Sequence, residues 1–313
     1  MDDRCALPLD RPFTRAQAAA LGVPRSLLDT LARRALIRQV VHGVYVAAQV
    51  VDSIELRAEA LALVVPETAV ITDRTAAWLH GVDALPRSAV HEMPPVQMFG
   101  RTGSRLRRPG VDSGVRQLLD SDVTVVNGVL VTTPLRTALD LGRSLGRFDA
   151  LAALDALLRA GVDRGELLAN VERFRGDRGV VQLRWLAPLA DARSESGAES
   201  VLRLHWLDAG LPPPDRQISV ADEWGCPTYR IDLGLEELRY GAEYDGRAFH
   251  GPEHTAHDEQ RRDWLSRRRW LIEVFGQPDV FAPGADPTIR LQRGFVDARR
   301  RVGAWVPQGR FLS

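Results

Sequence analysis

The chain has 313 residues, of which 45% are hydrophobic and 26% charged, and its 41 basic and 41 acidic side chains cancel to a formal net charge of zero. This profile is that of a folded globular protein with core enough for two or three domains, and it excludes a disordered or fibrous chain. No apolar run approaches the roughly 20 residues that cross a bilayer, and two cysteines, Cys5 and Cys226, are too few for a disulfide framework or a thiolate metal site.

Site chemistry must therefore come from oxygen and imidazole. The start, Met1-Asp2-Asp3-Arg4, lacks the basic end and apolar stretch of a signal peptide, so the cytoplasm is the expected location. All 41 basic residues are arginine. A neutral total does not exclude nucleic acid, because the local field decides. From Arg11 to Gln49 there are six arginines (Arg11, Arg15, Arg25, Arg33, Arg34, Arg38) against one acid, Asp29.

Thr14 is placed to cap a helix through Leu21, and Gly22 stands where a left-handed residue closes it. Pro24 suits the first turn of a second helix, in which Leu27, Leu28, Leu31 and Ala32 recur at helical spacing while Arg25, Ser26, Arg33 and Arg34 can face outward. Ile37 to Val46 is β-branched around Gly43 and reads as a hairpin. Together these make a winged helix-turn-helix, assigned to residues 1–52; the alternative is a small helical cap on the next domain. In Leu21-Gly22-Val23-Pro24, Leu27 to Ile37 and His42-Gly43-Val44-Tyr45 the segment resembles the N-terminal, DNA-binding domain of AbiEi-family antitoxins of type IV toxin-antitoxin systems. The resemblance implies that Arg25, Ser26, Asp29, Arg33 and Arg34 line a recognition helix on duplex DNA, with Arg38 and His42 reaching phosphates from the wing.

Residues 53–193 read as a mixed α/β middle domain. Ile54 to Val64 is helical, Ala69 to Thr72 a short strand, Asp73 to Gly81 a short helix, and several strand-like runs follow. Thr132-Thr133-Pro134 opens a helix through Leu141, and Asp149 to Ala160 is another. Ala76 to Val82 and Val131 to Leu141 resemble the second AbiEi domain. His80 reads as a packing residue, and Arg101, Arg105, Arg107 and Arg108 as an exposed basic loop or an auxiliary phosphate contact. There is no phosphate loop ending in lysine and no Gly-X-Ser-X-Gly elbow, which removes nucleotide hydrolysis by such a loop and acyl transfer.

Residues 194–313 follow the order helix, three strands, helix, strand: a helix from Ser196 to Gly210, strands at Arg216 to Val220, Tyr229 to Leu233 and Leu238 to Tyr244, a helix from about Thr255 to Arg268, and a strand from Trp270 to Phe275. That order is the core of a restriction-endonuclease-like fold, so the fold class expected for the whole chain is α+β and multidomain. In Glu199, Asp232, Glu243, Asp245, Gly246 and His250 the domain resembles endonucleases of the very-short-patch-repair (Vsr) type and their relatives. The resemblance implies a Mg²⁺- or Mn²⁺-dependent DNA endonuclease with Asp232 as the central metal ligand, the Tyr244 carbonyl or Asp245 as a second, Glu199 orienting a metal-bound water and His250 as general base or polarising that water; the expected metal set is Asp232, Glu243 and Asp245. Alternation places Glu243 and Asp245 on one strand face, where they can converge with Asp232, and such oxygens suit a hard cation. The wider superfamily has lysine where Asp245 stands, and Arg261 or Arg262 could supply the missing cation.

Each acid also has a plainer role. Ser196 and Glu199 spell a capping box, and Asp232 could pair across the sheet with Arg230 or Arg239. His250, His254 and His257 have the spacing of a zinc trio, but Gly251-Pro252 breaks the register between them. Arg267-Arg268-Arg269 suits a solvated helix end or a phosphate contact. Double-stranded DNA is the expected partner, with a cognate toxin protein and a second copy of the chain as further candidates. The second functional class is a non-catalytic antitoxin-type regulator whose nuclease-like domain is a relict scaffold.

Overall fold

Thr14 opens the first helix by a reciprocal cap, its hydroxyl accepting from the Gln17 N–H while the Gln17 side chain accepts from the Thr14 N–H. The computed structural model describes residues 7–85, 94–100, 110–246, 252–282 and 284–303, the side chains of 252–258 excepted. The chain begins with β1 (Phe13–Thr14), α1 (Arg15–Ala20), α2 (Arg25–Arg33) and the hairpin β2 (Ile37–Val41) and β3 (Val44–Ala47). Gly22 and Gly43 both take the positive φ that their turns need, 79° and 81°. Next come α3 (Ile54–Ala62), β4 (Val70–Ile71), α4 (Asp73–Leu79), β5 (Val96–Gly100), β6 (Val111–Val115), β7 (Val123–Val126) and β8 (Val129–Thr132). Four helices follow, α5 (Pro134–Ser144), α6 (Arg147–Arg159), α7 (Arg164–Asn170) and α8 (Val180–Leu186). The last third holds α9 (Gly197–Asp208), β9 (Asp215–Ala221), β10 (Pro227–Leu235), β11 (Tyr240–Asp245), α10 (Pro252–Arg267), β12 (Leu271–Gly276), α11 (Gln277–Phe281) and α12 (Thr288–Gly303).

The chain divides into two compact units, Met1–Ser144 with Ala160–Arg184, and Leu145–Arg159 with Trp185–Ser313. In the first, β1, β3 and β2 form one sheet, and β6, β5, β4, β8 and β7 a second, mixed one. The hairpin ties the two sheets together. Tyr45 and Ile37 pack into one core with Phe13, Ala18, Val23 and Leu28. Val44 and Val46, which alternation turns the other way, join Val40 and Val41 in a second core with Leu56, Leu61, Ile71, Leu79, Met98 and Val131. The helix-hairpin segment and the residues after it thus share one unit.

In the second unit the strand order is β12-β11-β10-β9, with β9, β10 and β11 antiparallel and β12 parallel to β11. Trp206 of α9 stacks on Tyr240 of β11 with centroids 5.1 Å apart, in a core shared with Leu202, Leu233, Phe275 and Leu291. A second cluster joins Ile218, Val220 and Ile231 to Leu265 and Trp270 at the end of α10. The expected order of helix, three strands, helix and strand is present, followed by α11 and α12. No described helix is long and apolar enough to cross a membrane.

Candidate functional site

β10 and β11 run antiparallel with Leu233 opposite Ala242; continuing that register by one residue sets Asp232 across from Glu243. Ala242 is buried in the core beside Tyr240, so alternation turns Glu243 and Asp245 to the other face. There Asp232, Glu243 and Asp245 line one cavity of about 240 Å³ with Arg261, Arg262, Leu265, Ile272 and Val274. Asp232 Oδ2 accepts the Tyr244 N–H at 2.9 Å, a backbone contact that fixes its carboxylate between the strands. Arg261 donates Nη2 to Glu243 Oε1 at 2.6 Å and to the Arg230 carbonyl at 2.9 Å, and its guanidinium lies 5.6 Å from the Tyr229 ring centroid.

Burial dominates the electrostatics. It pushes Asp232 up to about 6, against the Tyr244 N–H, which lowers it, and with help from the Glu199 charge. Burial likewise lifts Glu243 to about 7; Arg261 opposes this, and the charges of Asp232 and Asp245 add to it. Two acids with raised values share this cleft with Arg261 and Arg262, which makes it the candidate site of the C-terminal unit.

Glu199 does not line this cavity. Its Oε1 accepts the Ser196 hydroxyl at 2.9 Å, and its Oε2 accepts the Glu195 N–H and Gln217 Nε2, each at 2.9 Å. It serves the helix start and the sheet while its charge is still felt at Asp232. Arg230 pairs with Glu195 at 2.6 Å and Arg239 donates to the Arg268 carbonyl at 2.6 Å. His250, like Arg101, Arg105, Arg107 and Arg108, lies outside the described residues, as do the side chains of His254 and His257.

In chemistry the three carboxylates fit a hard divalent cation, whose charge would offset the burial and the lesser repulsion that raise Asp232 and Glu243. In arrangement they do not: among the described residues no three acidic, histidine or cysteine groups form a metal-ligating set. Glu243 is drawn instead onto Arg261.

At the other end of the chain, Leu28 is the buried residue of α2, while Arg25, Ser26, Asp29 and Arg33, and Arg34 just beyond, are exposed. Arg25 stands 3.8 Å from Asp29, and Arg33 donates to the Asp29 carbonyl and the Thr30 hydroxyl, contacts that order the row without burying it. Arg38 is half-buried and donates to the Val50 carbonyl at 3.0 Å, which makes it a strut of the hairpin. His42 is exposed beside Gly110, where any added side chain would meet its ring.

Sequence reasoning missed a cluster in the first unit, where Arg116, Arg136, Arg143 and Arg173 interlock with Asp73, Asp122 and Asp140. One signal was available: Arg136 and Asp140 stand four apart on α5, so they share a helix face.

Residues 68–189, which hold this cluster, match the model of the AbiEi antitoxin C-terminal domain. Both segments read as resembling the second AbiEi domain fall within it. Two uncharacterized proteins of Mycobacterium tuberculosis, from strains CDC 1551 / Oshkosh and ATCC 25618 / H37Rv, are each 36% identical over 281 residues, 89% of this chain and 99% of theirs. The chain belongs to the family of these mycobacterial proteins, with an AbiEi antitoxin-type domain at its centre.

Proposed function

We propose that the chain is a DNA-binding regulator of the antitoxin type. The observation that carries this is the placement of an antitoxin-domain match over residues 68–189 directly after a helix-hairpin segment whose second helix offers Arg25, Ser26, Arg33 and Arg34 to solvent. In this reading α2 enters the major groove and the guanidinium groups hold phosphates, while the hairpin sets the approach. A cognate toxin is the protein partner that the antitoxin match suggests. Fluorescence anisotropy of the full chain on duplex DNA should show binding that Arg33→Ala with Arg34→Ala weakens at least tenfold; equal affinity in that variant would refute the assignment.

A second reading is favoured by the carboxylates of the C-terminal unit, which share a cleft with two arginines and in two cases have their values raised, mainly by burial. It makes the chain a DNA endonuclease of the Vsr-like kind. Asp232, Glu243 and Asp245 would hold Mg²⁺ or Mn²⁺, which would supply charge neutralisation at a phosphodiester. Glu243 would first have to leave Arg261. Nicking of duplex DNA with either metal, abolished in Asp232→Asn while DNA binding persists, is the expected result. Identical nicking by that variant, or none by the wild type, leaves the regulator alone.

A further inference from the structure

The arginine cluster of the first unit borders a cavity of about 750 Å³, lined by Arg116, Arg136, Arg143, Arg173, Leu119 and Phe174 among others. Its charges balance only through an acid that solvent reaches. The carboxylates of Asp73, Asp122 and Asp140 are buried, with side-chain exposures of 6%, 3% and 1%. Asp140 takes Arg116 at 3.1 Å and Arg136 at 2.8 Å on one oxygen and Arg143 at 2.9 Å on the other. Asp122 Oδ2 takes Arg136 at 2.7 Å, Arg173 at 2.9 Å and the Leu119 N–H at 3.0 Å. Asp73 takes Arg116 at 2.9 Å. Four guanidinium groups thus share three buried carboxylates. A fourth acid, Asp177, lines the cavity with Asp122; it is 56% exposed and 3.5 Å from Arg143.

Packing fixes these cations as firmly as the acids do. Arg136, Arg143 and Arg173 lie 5.2, 4.3 and 5.9 Å from the Phe174 ring centroid, and Arg116 lies 4.0 Å from that of Phe99. Each guanidinium carries five N–H donors in a rigid fork. The Arg143 Nε–H is buried without a hydrogen-bond partner among the described residues. A network serving stability alone would match its charges and close over them. This one completes its charge match only at the exposed Asp177 and leaves four guanidinium groups on the wall of an open cavity, the conditions under which oriented guanidinium groups take an oxyanion.

We propose that this cavity binds a phosphate monoester of nucleotide size, its phosphate held by Arg116, Arg143 and Arg173 and its organic part lying toward Leu119. The site is separate from α2 and from the acid-lined cleft, and does not depend on the function assigned to either.

Calorimetry on the full chain at constant ionic strength tests this with three probes: inorganic phosphate, a nucleoside 5′-monophosphate and the same nucleoside without phosphate. Saturable binding of the first two and none of the third is expected, with the monophosphate the tighter. Arg143→Gln should weaken monophosphate binding about tenfold, the scale of one charge-assisted hydrogen bond. Because that change also touches the Asp140 network, Leu119→Glu provides an independent arm: its side chain is 59% exposed, so the variant folds and places a negative charge at the cavity wall, and about the same weakening is expected. Absence of saturable phosphate binding, equal binding of the bare nucleoside, or monophosphate affinity unchanged in both variants would each overturn the proposal.

Discussion

Glu243 and Asp232 hold protons at a pH where exposed carboxylates have released theirs, with values of about 7 and about 6 against ordinary ones of 4.5 and 3.8. Through these two acids the folded state binds more protons than the unfolded chain between roughly pH 4 and 7, so their contribution to stability falls as pH rises through that window, while His80 and His205, which burial holds below the usual imidazole value, act in the opposite sense there. Acids held low, such as Asp52, Asp191 and Asp286, act in the opposite sense but below that range. Denaturant titrations should show wild-type stability dropping from pH 5 to 7.5 by about 1–3 kcal/mol more than that of Glu243→Gln, which leaves His80 and His205 in place. Glu243→Gln should flatten the drop; an unchanged slope would show that the acid titrates normally. The residue types of this cleft were legible, because alternation alone puts Glu243 and Asp245 on one face. The Tyr244 N–H that fixes Asp232 was not, since a backbone donor has no sequence signature, and neither was the choice of Arg261 over Arg262 as the partner of Glu243.

At the scale of elements, sequence succeeded where a local signal sets a boundary. Thr14 with Gln17 caps α1, and the Ser196 hydroxyl accepts the Glu199 N–H at the start of α9. Thr14→Ala removes the reciprocal cap and should cost about 1 kcal/mol in thermal or chemical unfolding; no measurable decrease would mean that tertiary packing alone holds α1. The α2 boundaries were also readable, but Leu27 and Leu31, read as core, are 43% exposed and half-buried, because this short helix rests on Leu28. α7, α8, α11 and α12 were not foreseen. α12 is rich in arginine, and its place depends on Gly294, where an added Cβ would come 2.7 Å from the Tyr240 hydroxyl. That fit is set by tertiary structure, as is the hydrogen bond from Tyr240 to the Leu291 carbonyl at 2.8 Å.

Across the whole molecule, the α+β class and the order of elements in the last third could be read from hydrophobic period and turn residues, while the division into units could not. The boundary expected near residue 52 follows a hairpin whose two faces feed two cores of one unit, so both sides of it lie in that unit, and α6 joins the C-terminal unit. Such sharing depends on which strand face meets which neighbour, and a linear pattern does not record it. The kinship with the mycobacterial proteins extends over 89% of the chain, so both units are features of the family. The regulator reading stands or falls on whether the first unit grips duplex DNA through the arginines of α2, and the affinity of the full chain for duplex DNA as a function of salt measures this grip. Log affinity should fall linearly with log salt, and the slope should become shallower by about 0.9 for each phosphate that Arg25→Ala, Arg33→Ala and Arg34→Ala leave unneutralised. A salt-independent affinity, or a slope identical in wild type and the triple variant, would contradict it.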